Sequence, residues 1–220
     1  MKSLLMIIKK IFSFAASIIS LFIFIFYFCV NSNAENNDSK RYSKDEGVVS
    51  IMYHRFNESK YPSTNIQMDI FKEHINFIKN SQYSLYNPKD FEKDFANPKK
   101  QKKILLTIDD AFSSFYNQAW PFLKKNKIPF ILFVSTQPVG KRGYMTWEQI
   151  KEIEKYDFVT IGHHSHTHEY LIDETNADFI SDIELANSIF LKELGYVPSL
   201  FSYPFGEYSE FMRDYISKNF

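Results

Sequence analysis

From residue 47 onward, short runs that are apolar at nearly every position alternate with longer stretches in which apolar residues return every three or four positions. GVVSIMYH (47–54), KILLTI (103–108), PFILFVS (129–135), DFVTIG (157–162) and SLFSYP (199–204) are rich in β-branched and aromatic residues and too short for helices, so they predict strands. Between them, MDIFKEHINFIKN (68–80) sets Met68, Phe71, Ile75 and Ile78 on one helical face. SFYNQAWPFLKKNK (114–127), TWEQIKEIEKY (146–156), TNADFISDIELANSIFLKELG (175–195) and SEFMRDYISKNF (209–220) predict further helices. Thr146 and Gln149 form a capping-box start, and Gly195 stands where a helix C-cap belongs.

Runs such as ILLTI and FILFV have no polar face, which suits strands covered on both sides in a parallel sheet. Repeated βα units mean either an α/β barrel or an open doubly wound sheet, and the number of units does not choose between them. The unusual polar groups all follow directly on these runs: Asp109-Asp110-Ala111 after KILLTI, the histidines after DFVTIG, Pro204-Phe205-Gly206 after SLFSY. The C-terminal ends of parallel strands form the rim on which α/β proteins build their active sites.

The first 46 residues follow another pattern. Lys2, Lys9 and Lys10 precede or enter an apolar stretch that is uncharged from 11 to 30, and the small residues Ser32 and Ala34 come after it. Residues 1–34 therefore fit a secretory signal peptide cleaved after Ala34. They equally fit an uncleaved membrane anchor, because the run reaches the ~20 residues that span a bilayer. Either reading predicts export, to the periplasm, the exterior or the outer face of a membrane. Residues 35–46, polar except for Tyr42, predict a flexible linker, leaving 47–220 as one domain.

Composition narrows the chemistry. Lys plus Arg (26) equals Asp plus Glu (26), so there is no basic surplus for nucleic acid, and none is expected as a partner. The one cysteine, Cys29, lies in the apolar N-terminal run, which excludes an intrachain disulfide and a thiolate metal cage. A metal site would have to use histidine and carboxylate.

TIGHHSHTHEY (160–170) holds four of the six histidines: His163, His164, His166 and His168. Neutral imidazoles joined by a carboxylate suit zinc or another first-row divalent ion, and His164 and His168 can face one point from a single turn of chain. The plainer alternative is a solvated histidine-rich loop. Asp109 and Asp110 end a buried strand, where an unpaired charge is costly and a cation would offset the cost. Asp110 could instead cap the next helix, which leaves Asp109 without a task. His54 ends the first strand on the same rim and reads equally as a pocket residue or a core hydrogen-bonding group. His74 reads as surface, Trp120 and Trp147 as helix packing, and NPKKQKK (97–103) as a solvated turn.

LTIDDA, HHSHTH and FSYPFG, in that order, resemble the motifs of the polysaccharide deacetylases, the NodB-homology domain of carbohydrate esterase family four. The strand ending IMYHRF is similar to the branch acting on poly-N-acetylglucosamine. The histidine motif, His164 through His168, matches in full. The first motif departs at Ile108 and Ala111, and the third keeps Pro204 and Gly206 but has Ser202 for arginine and Phe205 for tyrosine. The resemblance, from about residue 47 to the C-terminus, implies a distorted (β/α) barrel of the NodB-homology type, incomplete at the C-terminus. It implies a divalent metal, most simply zinc, held by Asp110, His164 and His168, with Asp109 as general base and the backbone N–H of Phe205 facing the oxyanion. The implied substrate is an N-acetylated polysaccharide, and the implied enzyme a polysaccharide N-deacetylase. No histidine follows His168. The family's C-terminal general acid therefore has no counterpart here, and the rival expectation is an inactive exported module that binds metal or glycan.

Overall fold

The computed structural model describes residues 47–96 and 102–220, all within the unit Lys44–Phe220. The expected signal or anchor, the linker and most of NPKKQKK lie outside the described residues. No helix among the described residues is long and apolar enough to cross a membrane.

The main sheet is wholly parallel, as the two-sided apolar runs require. Strand β1 (Gly47–Tyr53) pairs with β5 (Lys102–Ile108) from Gly47–Lys102 to Tyr53–Ile108. The other edge of β5 takes the short β4 (Ser84–Leu85) near its start and β6 (Phe130–Val134) near its end. β7 (Val159–His163) then pairs along the whole of β6. Two further short strands, β2 (Arg55–Phe56) and β3 (Asn65–Ile66), form a separate parallel pair, and neither was legible in the sequence pattern.

Helix α1 (Met68–Lys79) buries the four apolar residues its spacing predicts. α2 (Phe91–Ala96) is short and was not expected. The predicted helix at 114–127 is a π-helical turn, Phe115–Ala119, running into α3 (Trp120–Asn126), where Pro121 brings no N–H to the ladder. α4 (Trp147–Glu154) opens on the reciprocal Thr146–Gln149 capping box. α5 (Asn176–Leu194) ends on Gly195 at φ 84°, where a Cβ would be strained. α6 (Glu210–Asn219) packs Met212 and Ile216 against Phe179 and Ile183 of α5.

Strand alternation divides the apolar residues between two cores. Ile104, Leu106 and Ile108 of β5, with Phe130, Leu132 and Val134 of β6, pack beneath Phe71, Trp120, Ile150 and Phe190 of the helices. Leu105, Ile131 and Phe133 point to the other face and pack with Tyr86. Each fully buried side chain of this size contributes about 1.5–3 kcal/mol. Above that second core the inner face opens into a cavity of about 720 Å³ at the strands' C-terminal ends.

One predicted strand is a correction. SLFSYP makes only a single bridge, Phe201 to His163. The Ser202 N–H donates to the His163 carbonyl (2.9 Å), but the Ser202 carbonyl accepts from a side chain, His164 Nδ1, and Pro204 has no N–H to offer.

Candidate metal centre

Asp109 keeps step with the sheet for one residue beyond β5, its N–H donating to the Tyr53 carbonyl at 2.9 Å. The chain then turns: Asp110 has φ 72° and Ala111 φ 53°, both left-handed. Continued alternation would have sent the two carboxylates to opposite faces, and this turn brings both into the cavity. Asp110 caps no helix: the following π-helical turn has Ser114 at its N-cap position, so the capping alternative falls.

At the end of β7 alternation separates the first two histidines. His163, the last residue of β7, points into the helix-side core against Phe190 and Phe201. His164 points into the cavity. Its Nδ1–H donates to the Ser202 carbonyl at 2.8 Å, which fixes the tautomer and leaves the Nε2 lone pair facing the carboxylates. Ser165 (φ 68°) and His168 (φ 60°) are left-handed, and the Ser165 hydroxyl accepts the His168 N–H at 3.1 Å. His166 leaves the cluster, its Nδ1 meeting Thr136 Oγ1 at 2.7 Å.

The predicted ligands therefore meet. His168 Nε2 lies 2.9 Å and His164 Nε2 3.5 Å from Asp110 Oδ1, and His164 Nε2 is 4.0 Å from Asp109 Oδ2. One ligand atom from each of Asp110, His164 and His168 falls within 4.8 Å of the others. Ligands at ~2.1 Å around a tetrahedral zinc stand about 3.4 Å apart, a value these separations bracket. Asp109 Oδ1 is buried and accepts no hydrogen bond, and Asp110 Oδ1, equally buried, has the two imidazole nitrogens beside it, an expensive arrangement for carboxylates that a divalent ion would relieve. Two imidazoles and a carboxylate thus fit a first-row divalent ion, zinc among them, by donor type, spacing and unmet electrostatic demand.

Burial and the adjacent Asp110 charge push the Asp109 carboxyl up to about 7, with His168 and the Ser202 hydroxyl 3.5 Å away opposing. Burial also raises Asp110, but close pairing with His168 and the charges of His168, His164 and His54 outweigh it, and its pKa falls below the ordinary value. Burial pushes His164 down to about 4, whereas for His168 the pairing with Asp110 overcomes burial and raises it. His54 lines the cavity, and burial lowers its pKa. His74 is exposed, its Nδ1 3.0 Å from Tyr53 Oη, and Trp120 is a core residue, as the sequence suggested.

Phe205 lies on the same cavity in a left-handed conformation (φ 60°), half exposed. Its ring stacks on Tyr170 at 3.8 Å and meets the His168 ring edgewise at 4.9 Å. Five of the seven left-handed non-glycine residues among those described (Asp110, Ala111, Ser165, His168, Phe205) gather here. Such conformations cost about 1–3 kcal/mol each and persist where surrounding contacts enforce them.

Two contributors went unread in the sequence: Tyr170, and Asp182, which bonds the histidine loop from α5. Asp182 did leave a signal, a carboxylate on the helix face that also carries Phe179, Ile183, Ala186 and Phe190.

Fold and site together define a parallel α/β protein with a His–His–Asp cluster and a second buried carboxylate at its strand ends. The family model for polysaccharide deacetylase matches residues 96–219, more than half of the chain, and the chain belongs to that family. YxkH of Bacillus subtilis is 25% identical over 186 residues, covering 82% of this chain and 66% of its own. The poly-beta-1,6-N-acetyl-D-glucosamine N-deacetylase of Staphylococcus aureus is 21% identical over 206 residues, covering 80% and 70%. The chain thus spans about two thirds of the length of these relatives. Among solved structures, IcaB from Ammonifex degensii superposes with a TM-score of 0.72 at 26% identity, over 79% of this chain and 80% of that one. The Streptococcus pyogenes deacetylase PplD has the same fold, with a TM-score of 0.69 at 22% identity over 78% and 79%. The fold is accordingly the distorted (β/α) barrel of the NodB-homology type.

Proposed function

We propose that this chain is an exported, metal-dependent N-deacetylase that removes acetyl groups from N-acetylglucosamine-containing polysaccharide. The observation that carries the proposal is the convergence of Asp110, His164 and His168 on one point beside Asp109, a carboxylate pushed up to about 7. Family membership and the likeness to a poly-N-acetylglucosamine deacetylase support the glycan class. The N-terminal lysines and apolar run support export.

Asp110 Oδ1, His164 Nε2 and His168 Nε2 would hold the ion, which when bound polarises an amide carbonyl and acidifies water. The remaining work belongs to the protein. Asp109, 4.0 Å from His164 Nε2, accepts the proton of the attacking water as its oxygen bonds to the acetamide carbon. The carbonyl oxygen takes up negative charge, and in this reading the backbone N–H of Phe205, a residue that lines the cavity, donates to it. Collapse breaks the C–N bond, and the proton held on Asp109 returns to the departing nitrogen, giving acetate and a free amine. Burial raises the Asp109 carboxyl and so favours its taking the proton, while the charge of a bound ion beside it would draw it back toward the ordinary carboxylate range and favour the proton's release to the nitrogen. The Ser202 hydroxyl steadies Asp109 where a resembling sequence would carry arginine.

The test is acetate release from β-1,6- and β-1,4-linked N-acetylglucosamine oligomers, with chelator and after zinc is restored. Activity should vanish with chelator and return with zinc. Asp109→Asn should cut kcat by about 10²-fold or more while zinc still binds. Zinc and glycan binding with no acetate released, or release indifferent to both treatments, would sink the proposal.

A further inference from the structure

We infer that Asp182 is a positioning residue for the histidine loop, holding His166 and Thr167, two of the three residues between His164 and His168, so that both imidazoles can share one cation. The inference rests on the reading of that site given above. Asp182 lies mid-way along α5 on its buried side and is 8% exposed. Its Oδ1 accepts the His166 N–H at 2.7 Å, and its Oδ2 accepts both the Thr167 N–H at 3.0 Å and the Thr167 hydroxyl at 2.7 Å. Both oxygens of a buried carboxylate are thereby spent on one short piece of backbone, through charge-assisted bonds that are stronger and more directional than neutral ones.

The bonds fall where the loop has most need of them. Every backbone N–H from His164 to His168 has an acceptor: the Val134 carbonyl, His163 Nδ1, the two Asp182 oxygens and Ser165 Oγ, in chain order. The stretch is bounded by two left-handed residues, Ser165 and His168, so an unrestrained loop would leave this shape readily. The Ser165 acceptor belongs to the loop itself and moves with it, whereas His163 Nδ1 is fixed at the end of β7 but holds only Ser165. The Val134 carbonyl is fixed by the sheet but holds only His164. The peptide unit between His166 and Thr167, which leads into His168, is held from two sides: the Gln137 N–H donates to its carbonyl at 2.9 Å, and Asp182 of α5 accepts its N–H. Asp182 thus couples the ligand geometry to a long helix packed on the core through Ala186 and Phe190. Groups that orient ligands in this indirect way alter affinity without touching the ion.

The test measures zinc affinity of the full chain by competition with a chromophoric chelator, a readout independent of turnover. Asp182→Ala should weaken zinc about 10–100-fold. Asp182→Asn keeps one good acceptor and should fall between. Thr167→Val, which removes one of the three bonds, should weaken it least. A residue that merely stabilised the fold would lower the melting temperature and leave the affinity of the folded protein alone. Asp182→Ala binding zinc as the parent does, in protein with a parental near-UV spectrum, would therefore overturn the inference. Should Asp182→Ala fail to fold, parental affinity in both Asp182→Asn and Thr167→Val would overturn it equally. His168→Ala, titrated in parallel, separates the two levels. Lost binding there with no change on altering Asp182 defeats the positioning role alone, whereas unchanged binding in His168→Ala defeats the cation site and the positioning role together.

Discussion

Replacing His163 with phenylalanine should remove a defined part of the fold's sensitivity to acid. The imidazole is fully buried, with ring centroids 5.0 Å from Phe190 and 5.1 Å from both Phe201 and Phe220, so a phenyl ring suits its surroundings. Burial, reinforced by neighbouring His164, pushes its pKa from 6.5 down to about 3. Between those values the unfolded chain holds a proton that the folded chain does not. The stability His163 contributes is therefore complete above 6.5 and is lost as the pH falls toward 3. Each pH unit inside that window is worth about 1.4 kcal/mol, and integrating from about pH 6.5 to about pH 4.5, with half-protonation at the upper limit, gives a loss of about 2 kcal/mol. Asp109 acts in the opposite sense. Raised to about 7 against an ordinary 3.8, it favours the folded state as the pH falls between those values. The informative quantity is thus the difference between parent and variant, taken from urea unfolding of chelator-treated protein across this range. The variant carries a constant offset of about 1 kcal/mol because the Ser165 N–H loses His163 Nδ1 as acceptor. If the two stability curves stay parallel from pH 6.5 to 4.5, the reasoning about this buried histidine is wrong.

Two further expectations concern the inner face and the rim. A Cβ on Gly162 would stand 2.3 Å from Phe133 Cδ1, 2.4 Å from its Cε1 and 3.0 Å from Ile131 Cγ2, so Gly162→Ala overpacks the second core. It should cost about 1–3 kcal/mol and lower the melting temperature by roughly 2–10 °C, and adding Phe133→Leu should recover part of the loss. At Phe205, Phe205→Gly keeps the backbone N–H and tolerates φ 60°, while Phe205→Pro removes the N–H and excludes that angle. Acetate release should survive the first change within about tenfold and fall by about 10²-fold or more in the second, with zinc affinity retained in both. Equal rates in the two variants would remove the oxyanion role.

What the sequence determined about this protein are the features that neighbours along the chain can encode. The unbroken apolar runs over β5 and β6 demanded cover on both faces and hence a parallel sheet, and the helix starting at Thr146 and the stop at Gly195 were written in capping residues. The position of three polar motifs just past predicted strands placed them on one rim. The tertiary structure decided the rest, because it depends on partners far apart in sequence. Period-two alternation would have parted Asp109 from Asp110, and only the left-handed turn at Asp110, fixed between the last bond to Tyr53 and the Ala111 carbonyl's bond to Met145, directs both into the cavity. The strand predicted over SLFSYP shrank to one bridge because His164 claimed the carbonyl that a neighbouring strand would have used. The partners of Asp182, on the apolar face of α5, are set only by that helix lying behind the histidines. A side chain's type is local, but the donors that meet it are chosen by how distant segments pack.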